Sequence, residues 1–226
     1  ILDLNGARLL LLGRSGTEEP MQVYSDARGA IVIKGLIFNS QSSQPVVEPA
    51  FLLREFVETG KLDRDRYEGT FVLAIWNARD GRALFANDHA ALLHAYYGEF
   101  SSGFYASTWA LPVARALRLQ LNPDAVRDFL ARGALMAPDT MFRGIKRLNI
   151  GEQLFARPGK TTVQRYWLPY AEPIYRTVAQ ASGAVGDLIV DRVRRYETLK
   201  QPLVCDLTAG YDSRLVVTAC DHAKVN

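Results

Sequence analysis

The sequence predicts an α+β fold over its first two thirds, followed by the beginning of a parallel α/β unit. Three observations lead to this prediction. Strand-length apolar runs separated by turn residues recur between Arg8 and Trp167. Helical patterns are inserted between these hairpins. After a segment rich in proline and small residues, a helix, an apolar run, a short loop and a second helix follow in order.

Composition narrows the classes of function. The chain has 226 residues, 48% of them hydrophobic, and a formal net charge of +3 with both signs mixed along its length. This argues against nucleic acid and anionic membranes as partners. No apolar stretch reaches membrane-spanning length and no signal peptide is visible, so a cytoplasmic location is expected. Cys205 and Cys220 are expected to be free, buried thiols in a reducing compartment, and a disulfide is the alternative, with no spacing argument behind it.

The first elements are strands and one helix. Strands are predicted in "RLLLLG", "QVYSD" and "AIVIKGLIF", with a turn at residues 26–29 between the last two. A helix is predicted in "VVEPAFLLREFVETG", with Pro49 in its first turn and Gly60 as its stop. Its buried side is expected to consist of Phe51, Leu52, Phe56 and Val57.

The next elements repeat this pattern. "GTFVLAIWN" and "RALFAN" form a predicted hairpin, because residues 78–81 contain an Asp-Gly pair, and "LLHAYYGE" and "GFYAST" follow as strands. "LNPDAVRDFLARG" predicts a helix capped by Asn122 and ended by Gly133. Its buried stripe is expected to be Val126, Phe129 and Leu130. "GIKRLNIGEQLFA" and "TTVQRYW" predict a final β pair.

The composition changes after this pair. Residues 1–168 are predicted to form one domain, residues 169–183 a linker, and residues 184–226 the beginning of a second domain. Apolar residues at helical spacing start at Val185. Leu203, Val204 and Leu207 predict a buried strand that leads into the stretch "TAGYDS".

This stretch, residues 208–213, predicts an anion site. A tight turn of small residues between a buried strand and a helix directs backbone N–H groups at one point beside the positive end of the helix dipole. A Walker loop is excluded because no Lys follows Gly210, and a dinucleotide loop is excluded because only one glycine is present.

The stretch resembles the ATP-pyrophosphatase loop Ser-Gly-Gly-x-Asp-Ser. The resemblance implies that the loop holds the pyrophosphate of ATP, with a structural or magnesium-related role for the aspartate. Ala209 replaces the first glycine, which would cost about 1 kcal/mol if that residue needed a positive φ. The implied ATP-binding residues are Thr208, Ala209, Gly210, Asp212 and Ser213.

Segments before the loop resemble the asparagine synthetase family in the same order. They are "GARLLLLGRSGTEEPMQ", "IVIKGLIFNSQ", "GTFVLAIWNARDGRALFANDHAALLHAYYG", "FYASTWALPVARAL" and "DTMFRGIKRLNIGEQLFA". The resemblance implies a four-layer αββα amino-terminal-nucleophile amidohydrolase sandwich, followed by an ATP-pyrophosphatase-type synthetase domain. In working members the first domain hydrolyses glutamine through an amino-terminal Cys, and the ammonia attacks an adenylated carboxylate.

Several positions depart from the family pattern. Lys34-Gly35 replaces the Asn-Gly pair that implies an oxyanion hole, and Glu48 stands near an Asp that holds the amine of the substrate. Asn87 and His94 replace an Arg and a Pro. Ile1 is not a nucleophile and no Cys precedes Cys205. No catalytic or metal-binding residue is therefore assigned.

Two explanations stay open, a chain that lacks its first strand or a divergent branch like the β-lactam synthetases. The expected function is an ATP-dependent ligase that adenylates a carboxylate for attack by ammonia or an amine, with ATP and Mg²⁺ and a degenerate glutaminase domain. The 226 residues alone are expected to be inactive. A homodimer, or association with the remaining synthetase part, is expected. The alternative is a non-catalytic scaffold derived from the family.

Overall fold

The structure is a computed structural model that describes residues 2–4, 7–9, 21–42, 46–101, 103–169, 174–200 and 202–225. The chain divides into two compact units. Unit 1 comprises residues 1–40 and 47–168, and unit 2 comprises residues 41–46 and 169–226. No helix within the described ranges combines the length and apolarity that a bilayer span requires.

Unit 1 is mixed α+β, as the sequence predicts. Its helices are α1 (Pro49–Thr59), α2 (Ala110–Ala116) and α3 (Pro123–Arg132). Its strands are β1 (Leu2–Leu4), β2 (Ala7–Leu9), β3 (Met21–Asp26), β4 (Gly29–Asn39), β5 (Tyr67–Asn77), β6 (Ala83–Asn87), β7 (Tyr96–Phe100), β8 (Gly103–Ser107), β9 (Lys146–Arg147), β10 (Glu152–Arg157) and β11 (Lys160–Arg165).

Most of the strands belong to two antiparallel sheets. The larger sheet has six strands in the order β11-β10-β6-β5-β4-β3, and the smaller has the order β8-β7-β9. The predicted hairpins β3–β4, β5–β6, β7–β8 and β10–β11 are all present. Of the predicted strand "RLLLLG", residues 8–9 lie in β2 and residues 10–13 lie outside the described residues.

Each face of the six-stranded sheet is covered by a separate hydrophobic core. Helix α1 packs on β3, β4 and β5 and buries Leu52, Leu53 and Phe56 against the first face. The other face contributes Val72, Phe85 and Leu154 to a second core. That core is shared with Ala95, Leu148, Tyr97 and Phe104, which lie in or beside the smaller sheet. The layers are therefore a helix, a six-stranded sheet and a three-stranded sheet.

Local residues set the ends of the predicted helices. Gly60 ends α1 in the left-handed conformation, and its N–H donates to the carbonyl of Phe56 at 2.8 Å. The Asn122 side chain caps α3 by accepting the N–H of Asp124 at 3.3 Å. Both boundaries confirm the predictions from sequence. Helix α2 has no such signals, and it was not predicted from the sequence.

The predicted buried stripe of α3 is wrong. Phe129 is 41% exposed and Leu130 is 79% exposed, whereas Ala125 is buried. Apolar spacing identified the amphipathic face of this helix, but burial requires another element to cover that face. Within the described residues of unit 1, this end of α3 has no such cover.

Unit 2 contains the helices α4 (Val178–Glu197) and α5 (Tyr211–Ala223). The helix predicted from Val185 begins seven residues earlier, where Thr177 accepts the N–H of Gln180 as an N-cap. The predicted strand at residues 203–207 is wrong, because residues 202–208 are irregular and Val204 is 91% exposed. A parallel strand forms only beside another strand, and the described part of unit 2 holds none.

The turn between β3 and β4 is held by one carboxylate. Asp26 accepts hydrogen bonds from the Arg28 backbone N–H at 2.8 Å, the Arg28 guanidinium and the Tyr24 hydroxyl. The hydrogen bond from the Arg28 side chain is the main cause that lowers the pKa of Asp26 to about 2. The ionised carboxylate is thus the form that the folded turn favours.

We therefore expect an Arg28→Ala substitution to raise the pKa of Asp26 from about 2 toward its ordinary value of 3.8. Because the folded pKa is depressed, the stabilisation by this carboxylate is present above pH ~4 and is lost as the pH falls through about 2. Carboxyl NMR titration of both proteins measures the shift. Tyr24→Phe is the control and should move the pKa less, while an unchanged pKa in Arg28→Ala would contradict the assignment.

Candidate functional site

Most of the residues that the sequence singled out lie in two regions, beside a cavity in unit 1 and in a loop of unit 2. In unit 1, Lys34 of β4 pairs with Val72 of β5, and Val72 pairs with Asn87 of β6. Paired residues of neighbouring antiparallel strands project to the same face of a sheet. Val72 belongs to the core between the two sheets. Lys34 and Asn87 therefore lie on the sheet face that looks toward the smaller sheet.

A cavity of about 490 Å³ opens beside this row, a volume typical of small-molecule sites. Most of its wall is apolar or aromatic. Lys34 is the only Lys or Arg among the described residues that line it, and none of them is acidic. The lining residues are Lys34, Leu92, Leu93, His94, Tyr96, Thr108, Trp109, Ala110, Leu111 and Phe142. The cavity combines an apolar wall with one ammonium group.

Gly35 lies at a close approach between β4 and β5. Its φ is +97°, and an added Cβ would lie 2.1 Å from the backbone oxygen of Thr70. Any side chain at this position would force the two strands apart. The requirement for glycine is therefore structural, and it fixes the backbone next to Lys34.

The segment 90–94, which includes the wall residues 92–94, is held by a buried carboxylate. Asp88 is 1% exposed, and its two oxygens accept the N–H groups of Ala90, Leu92 and Leu93 at 3.0–3.1 Å. Leu92 and Leu93 line the cavity directly. Asp88 thus shapes the cavity without facing it.

The buried guanidinium of Arg64 contacts the backbone of Asn87. Arg64 is 5% exposed, and its terminal nitrogen Nη2 donates to the Asn87 carbonyl at 2.6 Å and to the Tyr166 hydroxyl at 2.7 Å. The guanidinium also stacks 4.5 Å from the centre of the Tyr166 ring. His89 contacts that ring edge-on, and burial followed by the Arg64 charge lowers the pKa of His89. The neutral imidazole is therefore favoured.

Sequence reasoning missed Arg64. It lies in a short 3-10 turn without periodicity or a motif, so no local signal marks it. The Arg64 guanidinium donates to the backbone carbonyl of Asn87, one of the positions singled out in the sequence. Both polar side-chain atoms of Asn87 are buried without a protein partner.

The structure brings together only part of the predicted glutamine-site residues. Lys34 and Gly35 are adjacent in β4 beside the cavity. Glu48 is exposed at the N-cap of α1, and it is not among the residues that line the cavity. His94 lies on the cavity wall.

In unit 2, the predicted anion loop precedes α5. Gly210 is the N-cap of this helix, and no side chain caps it. The Thr208 and Ser213 hydroxyls hydrogen-bond to each other at 2.9 Å, and the Gly210 N–H donates to Thr208 Oγ1 at 3.2 Å. The Arg214 guanidinium donates to the carbonyls of Ala209 and Gly210. The loop is folded on itself, and both predicted hydroxyl ligands have partners within it.

Two expectations about this loop can be compared with its geometry. Ala209 is not among the residues with positive φ, and Gly210 has a φ of −72°. Alanine in place of glycine therefore causes no backbone strain in this conformation. Asp212 lies in the first turn of α5, where its negative charge complements the helix dipole. Within the described ranges, no cluster of three His, Cys, Asp or Glu residues is arranged to hold a metal ion.

The thiols differ from the sequence prediction. Cys205 and Cys220 are both free, but Cys205 is exposed and Cys220 is only partly buried. The expectation of buried thiols is therefore wrong for Cys205. It rested on a strand at residues 203–207 that the structure does not contain.

The layered α+β unit is the part of the chain that matches a known protein family. The chain belongs to the family of glutamine amidotransferase domains, whose family model matches residues 2–167. This family match covers most of unit 1 and ends before α4.

Two solved structures are similar over most of the chain. One is an allosteric regulatory enzyme of purine biosynthesis, with 10% identity, a TM-score of 0.36 and coverage of 93% of this chain and 46% of that one. The other is glutamine phosphoribosylpyrophosphate amidotransferase from B. subtilis, with 11% identity, a TM-score of 0.35 and coverage of 94% and 48%. The chain thus spans less than half the length of either protein. No curated protein matches the sequence.

Proposed function

We propose that this chain comes from an asparagine synthetase-like ATP-dependent ligase, which adenylates a carboxylate for attack by ammonia or an amine. The observation that carries the proposal is the order of parts along the chain. A glutamine amidotransferase domain occupies residues 2–167. The stretch "TAGYDS" at residues 208–213 then leads into helix α5, which begins at Tyr211. This stretch resembles a pyrophosphate loop. The two parts in this order indicate an asparagine synthetase-like ligase more specifically than either part alone.

The chemistry of the loop supports the proposal. The N-terminus of α5 has no side-chain cap, so N–H groups of its first turn are available to an anion such as the pyrophosphate of ATP. The Thr208 and Ser213 hydroxyls would exchange their mutual hydrogen bond for phosphate oxygens. Asp212 would hold Mg²⁺, which neutralises charge on the leaving pyrophosphate.

The first domain is proposed to be a degenerate glutaminase. Lys34 occupies the position of the oxyanion-hole asparagine, and it lies on the wall of an otherwise largely apolar cavity. An ammonium differs from an amide in both reach and charge. The nitrogen donor is therefore proposed to be ammonia or the amine of a substrate that binds elsewhere.

Exchange of radiolabelled pyrophosphate into ATP by the full gene product tests the ligase. Exchange that depends on an added carboxylate is the expected result. We expect Ser213→Ala to reduce the exchange rate about tenfold, because it removes one hydrogen bond to a charged phosphate. Thr218→Ala is the matched control: Thr218 donates to the Arg214 carbonyl within α5, outside the loop, and its loss should leave the rate unchanged.

The second candidate is a non-catalytic scaffold. The observation in its favour is that the loop hydroxyls already satisfy each other, as expected of a loop that binds nothing. Absence of exchange with every carboxylate tested would favour this candidate. Exchange that Ser213→Ala leaves intact would retain the ligase and reject the role of the loop.

A further inference from the structure

The two cysteines of the chain lie next to each other in unit 2. Their Sγ atoms are 3.7 Å apart, although fourteen residues separate them in sequence. Cys205 lies in the irregular segment 202–208, and Cys220 lies in α5. A disulfide has an S–S distance of about 2.05 Å, so a small side-chain movement would bring the sulfurs within bonding distance.

The proximity follows from how the segment 205–208 lies along the helix. Ser213 and Cys220 are seven residues apart, so they share one face of α5 and lie about 10 Å apart along its axis. Cys205 precedes Thr208 by three residues, and an extended chain of three residues also spans about 10 Å. The Thr208–Ser213 hydrogen bonds join the segment to the helix at one end. The thiols consequently meet at the other end.

We propose that Cys205 and Cys220 are a redox modification site that forms a reversible intramolecular disulfide. The oxidant is a small-molecule disulfide of the glutathione type. The Cys205 thiolate attacks it and releases one glutathione thiolate, which leaves a mixed disulfide on Cys205. The Cys220 thiolate then attacks Cys205 Sγ and releases the second glutathione. Two thiols lose two protons and two electrons, and one glutathione disulfide is reduced.

The environments of the thiols agree with this order of attack. Cys205 is exposed and therefore accessible to the oxidant. Partial burial and the neighbouring Cys205 thiol raise the pKa of Cys220, so Cys220 is the less reactive group in the first step. The resulting ring would enclose residues 206–219, including the loop 208–213. The proposal does not depend on ATP-dependent activity.

Incubation of the full gene product with oxidised glutathione tests this site. The expected result is the loss of both thiols toward an alkylating reagent and a cross-linked pair of peptides that contain Cys205 and Cys220. Dithiothreitol should restore both thiols. Peptide mapping without reduction distinguishes the internal disulfide from glutathione bound to each cysteine.

The controls separate proximity from simple reactivity. Cys205→Ser and Cys220→Ser should each retain one thiol of this pair, and that cysteine should form only a mixed disulfide with glutathione. The double variant Val204→Cys/Cys205→Ser keeps two thiols but moves one to a side chain that is 91% exposed, and it should cross-link less. Thiols that stay reduced, glutathione on both cysteines, or equal cross-linking in the double variant would overturn the proposal.

Discussion

The substitution Asp88→Ala is expected to lower the free energy of unfolding of unit 1 by about 3–5 kcal/mol. The Asp88 carboxylate is 1% exposed and accepts three backbone N–H groups of residues 90–93. Its removal takes the acceptor away from three N–H groups of a partly buried segment, and each such hydrogen bond contributes about 0.5–1.5 kcal/mol, or up to about 3 kcal/mol when the acceptor is charged. Urea denaturation followed by tryptophan fluorescence measures the loss.

Two variants make this test specific to the hydrogen bonds. Asp88→Asn keeps one oxygen, which can still accept the N–H groups of Ala90 and Leu92, so an intermediate loss is expected. Asp80→Ala removes a carboxylate from the exposed β5–β6 turn, where Asp80 accepts the Arg82 N–H, and should cost less than about 1 kcal/mol. Equal losses in Asp88→Ala and Asp80→Ala would contradict the assigned role.

The substitution Gly35→Ala is expected to have the second large effect, a decrease of about 3–5 kcal/mol in the free energy of unfolding. Gly35 has a φ of +97°, which strains an L-residue, and an added Cβ would lie 2.1 Å from the Thr70 oxygen. That oxygen belongs to the backbone of β5 and cannot rotate away. The strands must separate beside Lys34, so the cavity wall should change as well.

Gly103→Ala is the matched control for this substitution. Gly103 also has a positive φ, +131°, but an added Cβ would meet no atom within 4 Å. It should therefore show only the backbone strain, about 1–2 kcal/mol. The difference between the two variants in urea denaturation measures the clash with β5. If both lose the same free energy, the close approach of the strands is not the reason for Gly35.

The sequence predicted the candidate site of unit 1 only in part. Lys34 and Gly35 were identified from a motif, and the strand register places them beside a cavity. Glu48 was identified by the same comparison, yet it lies at the exposed start of α1. A motif gives the order and spacing of residues along the chain, but it does not show which side chains line the same cavity.

The sequence by itself determined the local elements. Four hairpins and the ends of α1 and α3 agree with their turn and cap residues, because a turn or a cap depends on residues a few positions apart. The α+β class follows from the order of these elements. Apolar periodicity also located α4 and α5, although it did not predict what would cover their faces.

Only the tertiary structure decided which distant residues meet. It placed Arg64 against Asn87 and Tyr166, left Leu130 exposed, and set Cys205 beside Cys220. It also left residues 203–207 without a strand, because no neighbouring strand is present in the described part of unit 2. The burial of a side chain, the contacts of a charged group and the pairing of a strand all depend on a second segment of the chain. No short stretch of sequence specifies which segment that is.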